Sequence, residues 1–496
     1  SLARNWQSTK YGTNIMETLQ RLHNRGSIST GYDIDNSLKL EEDNSEYLER
    51  ATGGGNGSTT QHTISVWVKR TELAKTSFIL GFAHIGRLRF ESDDKIEYQF
   101  RSGRKIETNR LFRDTSAWYH IVVVADSTLA TSTDRMKLYI NGVRETDLLT
   151  YVAQDQNQGS PAWGVYNTYN YRIGYSGNAG ENFNGYIADA YYINGQTLDP
   201  TDFGEFDEDT GIWKPKEFTG TFGSLDNYLN FSNSSNLGED ANGGTDLSSN
   251  NITSADQALD TPTNNFAIIS NAMRDNSELS YSTVSDGGSR FRTTVTEKWV
   301  TSVSSIGVTK GKWYAEFNVI GSRPNNWFGI ASMEQLNNNS GYSSAGSRLG
   351  ESGKNWSIGY YQSNGKLDEQ QNSGYTTTSS WGGVVSQNQI VGVALDMDNH
   401  KLYMSVNNVY QNSGNPVIGA NAITFDDTET VAIANTGYSL GSGNDTITGY
   451  NFGGYRTDGL PSEATDENGY GAFRYAPPTG YYALCGKNLA EYGGTA

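Results

Sequence analysis

Residues 118–126, W-Y-H-I-V-V-V-A-D, and after a polar break residues 135–143, R-M-K-L-Y-I-N-G-V, decide the fold. A near-continuous apolar run ends on an Asp, and a strand of alternating polarity then leads into an Asn-Gly pair, the usual signature of a tight β-hairpin. The same grammar recurs at 389–396, Q-I-V-G-V-A-L-D, followed by 401–409, K-L-Y-M-S-V-N-N-V. Side chains alternate across a strand, so Leu138 and Ile140 take one face and Tyr139 the other; Leu402 and Met404 repeat this against Tyr403. Each copy is expected at the centre of one β-sandwich.

A chain of 496 residues is too long for one hydrophobic core, and the repeat favours two. Apolar residues make up only 35%, while 56 glycines and 31 tyrosines point to short strands, many turns and half-buried aromatics rather than helical bundles. A formal charge of -18 repels a phosphate backbone and argues against nucleic acid as a partner. Arg101, Arg104, Lys105, Arg110 and Arg113 cluster locally, as a site for an anionic partner or as a strand edge blunted by charge. Cys485 is the only cysteine, which removes intrachain disulfides and thiolate metal clusters. The start, S-L-A-R-N-W-Q-S-T-K, lacks an apolar stretch and no run can span a bilayer, so neither a signal peptide nor a membrane anchor is expected. A composition suited to extracellular binding, without an export signal, is reconciled by a virion protein, assembled inside a cell and working outside it.

The fold class is all-β: two tandem antiparallel β-sandwich (jelly-roll) domains with a short N-terminal helix. Residues 1–37 form an N-terminal arm, with the helix predicted over 13–25 from Asn14 as N-cap, Glu17 three residues on, Ile15, Leu19 and Leu22 on one face, and Gly26 at the end. Its apolar face needs a partner, the neighbouring sandwich or another subunit. Residues 38–203 form the first sandwich, with strands over 62–69, 77–82, 87–90, 96–101, the opening hairpin, 172–175 and 185–193. Residues 204–265 are an Asn/Ser/Gly-rich connector with too few apolar residues for a core, which Tyr228, Leu229, Phe231 and Leu237 can peg to its neighbours. Residues 266–452 form the second sandwich and 453–496 an irregular tail.

The segments H-T-I-S-V-W-V-K, W-Y-H-I-V-V-V, K-L-Y-I-N-G-V, Y-R-I-G-Y and F-N-G-Y-I-A-D-A-Y-Y-I-N-G stand in the order and spacing of laminin-G-like, concanavalin-A-like lectin domains, which the first sandwich resembles. That family often places an acidic pair after the Ile of G-x-I; here Ile187 is followed by Ala188 and only then Asp189, a departure at the place of an inherited metal site. In the second half, G-K-W-Y-A-E-F-N-V-I-G, W-F-G-I-A-S, N-W-S-I-G-Y-Y-Q-S-N-G-K-L and the second hairpin resemble a SPRY domain. That resemblance implies a double-sheet sandwich whose loops recognise protein partners, without chemistry. The layout of the whole chain, with D-T-G-I-W-K-P-K and T-P-T-N-N-F-A between the modules and P-P-T-G-Y-Y-A-L after them, resembles structural proteins of tailed phages, particularly marine ones.

Concanavalin-like sandwiches also carry glycanases, which set two carboxylates about 5 Å apart for retaining hydrolysis. The nearest candidate, E-S-D-D-K-I-E at 91–97, is one residue too long and reads as a turn that separates its acids; E-F-D-E-D-T at 205–210 has Thr210 where the distal carboxylate belongs. None of the five histidines, His23, His62, His84, His120 and His400, lies near a nucleophile elbow or a metal-binding spacing. No catalytic residue, enzyme activity or cofactor is therefore expected. Calcium alone has candidate ligands, at Asp207, Glu208 and Asp209 and at Asp396 and Asp398, and neither place makes a full set.

Recognition remains. Sugar rings stack on aromatic faces while their hydroxyls need Asn, Asp and backbone partners. The candidate ligand-binding residues are Trp163, Tyr166, Tyr169 and Tyr171 in one Asn-rich loop, and Trp327 beside Asn325 and Asn326, with Trp356, Tyr360, Tyr361 and Trp381, at strand starts or in loops. The competing reading is that these rings fill cores or interfaces. The expected function is that of a non-enzymatic virion structural protein of a phage surface appendage (tail fibre, capsid spike or decoration), assembled in the host cytoplasm and binding host glycans through sandwich loops. Other virion proteins and further copies of the chain, as a homo-oligomer, are its expected partners; nucleic acid and membrane are not. A bacterial cell-surface lectin or adhesin and a glycan depolymerase are the alternatives.

Overall fold

Both hairpins form where their alternation places them. Tyr119–Asp126 pairs antiparallel with Met136–Ile140, setting Val123 opposite Leu138 and Ile121 opposite Ile140, and all four side chains are buried in one core. Ile390–Asp396 pairs with Lys401–Val406, setting Leu395 opposite Leu402 and Val393 opposite Met404, in a second core. Each hairpin then turns back through two residues with positive φ: Asn141 at 49° and Gly142 at 76°, Asn407 at 47° and Asn408 at 64°. Positive φ at both positions gives the turn whose twist matches the flanking strands, and Asn and Gly are the residues that tolerate it.

The computed structural model describes residues 31–50, 57–82, 85–160, 162–163, 169–178, 180–208, 210–269, 281–294, 297–333, 348–426, 430–440, 445–455 and 464–493. The helix predicted over 13–25 lies outside them. Among the described residues, two sheets of eight strands enclose the first core. One runs in the order Val143–Arg144, Met136–Ile140, Tyr119–Asp126, Gln61–Arg70, Gly185–Asn194, Ser37–Leu40 and Gln257–Ala258, with Asn227–Leu229 also paired to Gly185–Asn194. The other runs Leu148–Tyr151, Arg104–Thr108, Ile96–Arg101, Gly86–Phe90, Ser77–Phe82, Tyr171–Ile173, Tyr47–Arg50 and Ser248–Asn250.

Three of these strands come from residues 204–265, so the stretch read as a connector is laid onto the first sandwich. Leu229, Phe231 and Leu237 are buried in its core, and Tyr228 stacks on Tyr191 with ring centroids 4.3 Å apart. A segment too polar for a core of its own is ordered by borrowing one.

The second sandwich has a nine-stranded sheet centred on Lys312–Val319 and Ile390–Asp396, and a six-stranded sheet in the order Lys298–Val303, Val431–Ser439, Asn326–Ser332, Ser357–Tyr361, Leu367–Gln371 and Gly374–Thr378, again among the described residues. The C-terminal stretch, expected to be irregular, adds Tyr482–Ala483 in parallel beside Trp313 and Tyr314 and ends in a helix, Gly486–Tyr492. Its Phe473, Tyr481 and Cys485 cover Tyr314 and Tyr403. Cys485 is fully buried, and burial pushes its thiol up to about 12, where it is a small apolar side chain rather than a nucleophile.

The two sandwiches are joined by buried polar contacts. Lys69 Nζ lies 2.6 Å from Asp260 Oδ2 and donates to Asn265 Oδ1 at 2.6 Å and the Phe266 carbonyl at 2.9 Å, while Trp118 Nε1 donates to the other Asp260 oxygen at 3.0 Å. Tyr186 Oη donates to the Gly287 carbonyl at 2.7 Å, and Lys39 Nζ is 3.1 Å from Asp286. Trp67, Trp118 and Tyr186 pack with Trp213, Ile268 and Tyr455 across the joint.

Candidate functional site

The predicted binding aromatics divide into buried and surface sets. Trp163 is fully buried, stacked on His62 at 4.5 Å and edge-on to Phe82 at 5.2 Å. Gly86 makes room for it, since a Cβ there would lie 2.5 Å from Trp163 Nε1. Tyr171 is buried beside Phe82 and Tyr192; Tyr169 packs half-buried against the same core; Tyr166 lies outside the described residues. Trp356, Tyr360 and Trp381 belong to the second core, with Trp356 Nε1 donating to Asp426 Oδ1 at 2.7 Å and the Tyr360 hydroxyl donating to the Gly383 carbonyl. The expectation of ligand contact is thus corrected for Trp163, Tyr171, Trp327, Trp356, Tyr360 and Trp381. A large ring gains most when buried, and the polar tips of Trp356 and Tyr360 find partners inside. Tyr361 instead lies half-buried on the outer face of the six-stranded sheet, stacked at 4.5 Å on Trp327, which is itself buried there.

The first sandwich carries a surface site that the sequence did not single out. Along Tyr47–Arg50 the alternation buries Leu48 and Arg50 and leaves Tyr47 and Glu49 half-buried on the outer face. In the adjacent strand Arg172 stands opposite Glu49, and their side chains form an ion pair. Gly174, with φ of 90°, turns the chain after Ile173, where a Cβ would meet Leu40 Cδ1 at 2.7 Å. That turn brings Tyr175 to Tyr47, ring centroids 4.9 Å apart and tilted by 46°. The Arg172 guanidinium lies 5.9 Å from the Tyr47 ring and 5.3 Å from the Tyr175 ring. Asn250 is opposite Tyr47 in the next strand, and Asn44, Asn178 and Asn251 are exposed nearby in sequence to these strands. Two half-open rings, a fork of donors, a carboxylate and a carboxamide suit a sugar, whose C–H face stacks while its hydroxyls bond. The signal was the spacing Y-R-I-G-Y, in which Gly174 separates Arg172 from Tyr175.

Elsewhere on that face the charges are mutually satisfied. Glu97 Oε atoms lie 2.9 Å from Arg87 and Lys105 and 3.3 Å from Arg89, and Glu91 is 2.7 Å from Arg89. Burial raises the Glu91 carboxyl, against the pull of Arg89; for Glu97 burial is outweighed by Lys105, Arg87 and Arg89, which hold it low. Asp94 N–H donates to the Glu91 carbonyl at 3.0 Å, forming the expected turn, but the turn does not separate the acids as expected: Glu91 and Glu97 both reach Arg89 Nε, which lies between them as their shared counter-charge. In the basic cluster Arg104 meets Asp155, Lys105 meets Glu97 and Glu107, and Arg113 meets Asp94.

The calcium candidates serve as turn and hairpin caps: Asp207 Oδ1 accepts from Thr210, Asp396 from Asn399, and Asp398 Oδ1 from the Gly311 N–H, while Asp209 lies outside the described residues. Among the described residues no three His, Cys, Asp or Glu side chains are placed to hold a metal ion. Asp189 is buried and accepts from the hydroxyls of Tyr32 at 2.9 Å and Tyr228 at 3.1 Å. His120 is buried between Trp67 and Trp213, with Trp213 Nε1 donating to its Nδ1 at 2.9 Å.

Residues 42–200 match the family model Laminin_G_3, the concanavalin A-like lectin/glucanases superfamily, so the first sandwich is similar to laminin-G/concanavalin-A-like domains, and Tyr47, Arg172 and Tyr175 fall within the match. Similar solved structures include the SPRY domain of human HERC1, 13% identical over 36% of this chain and 94% of that chain with a TM-score of 0.26. Domains LG4-5 of the mouse laminin alpha1 chain are 9% identical over 86% of this chain and 89% of theirs, TM-score 0.29. A heptameric SAP-like pentraxin from Limulus polyphemus is 16% identical over 34% and 80%, TM-score 0.25. No curated protein matches the chain.

Proposed function

We propose that this protein is a non-enzymatic glycan-binding protein, displayed on a virion as part of a tail fibre, capsid spike or decoration. Glycan binding is carried by one observation: the Tyr47, Tyr175, Arg172 and Glu49 cluster on the outer face of a domain that matches the concanavalin A-like lectin/glucanases superfamily. Tyr47 and Tyr175 offer ring faces, and Arg172 and Glu49 hold the hydroxyls. The virion setting is supported by the layout of the whole chain, similar to tailed-phage structural proteins, and its partners are then other virion proteins and further copies of itself.

A glycan microarray probed with the intact chain tests the site. Binding is expected, with Tyr47→Ala and Tyr175→Ala each weakening it at least tenfold at unchanged melting temperature. Full binding by both variants sinks the assignment. Incubation with the retained polysaccharides is expected to leave their viscosity constant, and a fall would make the protein a depolymerase. Antibody labelling of particles in the electron microscope is the test of location, and absence from purified particles removes the virion role while leaving the glycan site standing.

A further inference from the structure

We propose that the edge strand Gly374–Thr378 of the second sandwich is a docking surface for a second copy of this chain, the two edges pairing antiparallel about Thr376. The pairing stands apart from the glycan reading and involves no residue of the first sandwich.

Gly374–Thr378 ends the six-stranded sheet: Leu367–Gln371 pairs with it on one side, and no strand among the described residues lies on the other. Gln371 and Gly374 pair across a two-residue turn, Asn372–Ser373, which fixes the order of the ladder. The N–H and C=O groups of Gly374, Thr376 and Thr378 therefore point toward Leu367–Gln371, and those of Tyr375 and Thr377 point away from the sheet. Tyr375, Thr376, Thr377 and Thr378 are all exposed. Other edges are guarded in the usual ways. Val143–Arg144, Gln257–Ala258 and Val409–Tyr410 are two residues long, Leu148–Tyr151 is bulged, and Lys298–Val303 opens on a lysine. Gly374–Thr378, G-Y-T-T-T, has no charge, proline or register shift.

The edge is complementary to itself. With Thr376 on a two-fold axis, Tyr375 faces the partner's Thr377, and each exchanges its outward N–H and C=O with the other, twice over by symmetry. Thr376 then meets the partner's Thr376, and both Thr–Thr and aromatic–β-branched pairs are favourable across strands. The hydroxyls of Thr376 and Thr377 already donate to Glu369 Oε1 at 3.2 Å and Asp368 Oδ1 at 2.6 Å, which fixes both side chains before a partner arrives.

Charge names the occupant. Residues 370–395 and 402–425 contain no Asp, Glu, Lys or Arg, in a chain that is 19% charged and carries a formal -18. Copies of so acidic a chain repel one another over most of their surface, and this uncharged side of the sandwich is where they can close. The two sheets end together there: Gln371 Nε2 donates to the Thr424 carbonyl at 3.3 Å, and the Gly383 N–H to Gln411 Oε1 at 2.8 Å. Val384 and Val409 flank the second tie, and Val417 and Ile418 form the tip of the turn closed by Asn415 and Ala420. All four aliphatic side chains are exposed, Ile418 by 75%. Asn415 Oδ1 accepts from the N–H groups of Val417 at 3.0 Å and Ile418 at 3.3 Å, so the tip is held in place rather than collapsed. A strand pair of five residues falls short of the about 1,200 Å² that a stable interface buries, so this aliphatic rim is part of the contact.

Sedimentation velocity of the intact chain over a series of concentrations tests the pairing, and a monomer–dimer equilibrium is expected. Tyr375→Pro removes an outward N–H while sparing the ladder to Leu367–Gln371, and should weaken the dimer at least tenfold with little change in melting temperature. Ile418→Asp, at the rim, should weaken it as well. Thr376→Cys is expected to be trapped by oxidised glutathione as a disulfide-linked dimer, because residues facing each other across the axis lie about 4.5 Å apart at Cα, while Cys485 is buried out of reach. Tyr375→Cys, offset from its own copy by two residues along the strands, is the register control and should cross-link at least tenfold less. A chain monomeric at every concentration, a dimer that Tyr375→Pro leaves intact, or equal cross-linking of the two cysteine variants overturns the pairing, as does a monomeric chain whose edge takes up an unrelated extended peptide. Failure of the glycan site reads differently, in the array alone, since these variants leave Tyr47 and Tyr175 in place.

Discussion

Asp189 sits in the left-handed region, at φ of 42°, in the bulge that shifts the register of Gly185–Asn194 between Ala188 and Tyr191. Burial lifts its carboxyl to about 7, against the two tyrosine hydroxyls that donate to it. A folded-state pKa above the unfolded one makes the protonated carboxyl a source of stability that is complete below about pH 4 and lost as pH rises through 7. Glu41, lifted to about 7 by burial, acts in the same sense. His62 and His120 act in the opposite one: burial lowers both to about 3, so their contribution is complete above about pH 6.5 and lost as pH falls toward 3. Asp189→Asn, which removes the charge and tolerates the same backbone, is expected to stabilise the fold at pH 8.5 by roughly 1–4 kcal/mol and to change little at pH 4. Urea unfolding at the two pH values checks this, and an equal effect at both would reduce Asp189 to a hydrogen-bond acceptor. From the sequence Asp189 could be read only as a departure from a metal-binding pattern, because its burial comes from Tyr32 and Tyr228, which are 157 and 39 residues away.

The two hairpin turns were legible as elements, since Asn-Gly and Asn-Asn name their own backbone conformation. Their surroundings were not. Gly142 lies under Trp213, where a Cβ would come within 2.2 Å of the indole, whereas Asn408 is exposed. Asn408→Ala should therefore cost only the left-handed penalty of about 1–2 kcal/mol. Gly142→Ala should cost clearly more, because it must also move a ring bonded to His120. Chemical denaturation of the two variants measures the difference, and equal costs would mean that Trp213 yields freely. Short strands with a single buried aliphatic side chain, such as Arg104–Thr108 with Ile106, escaped the reading because alternation needs several apolar residues to show.

At the scale of the molecule, Lys69 and Asp260 tie the first sandwich to the chain that leads into the second. Both are fully buried, and burial lowers the lysine and raises the aspartate, each opposed by the other. Lys69→Met would leave Asp260 buried without its cation, a loss on the order of 3–5 kcal/mol. Calorimetry is expected to show one transition for the intact chain and two for Lys69→Met, and a variant that still melts in one step would show that the packing of Trp67, Trp118, Tyr186 and Ile268 suffices.

The amino-acid sequence by itself determined the class, the two cores and the centre of each, because hydrophobic alternation and turn residues act locally and the strands had no other low-energy pattern. Tertiary structure decided where function can sit. It drew Trp163, Tyr171, Trp327, Trp356, Tyr360 and Trp381 inward, where large rings bury best, and left Tyr47 and Tyr175 at the surface. The reason is physical: an aromatic residue in a strand faces the core or the solvent according to register, and register is fixed by pairing between strands far apart in the chain.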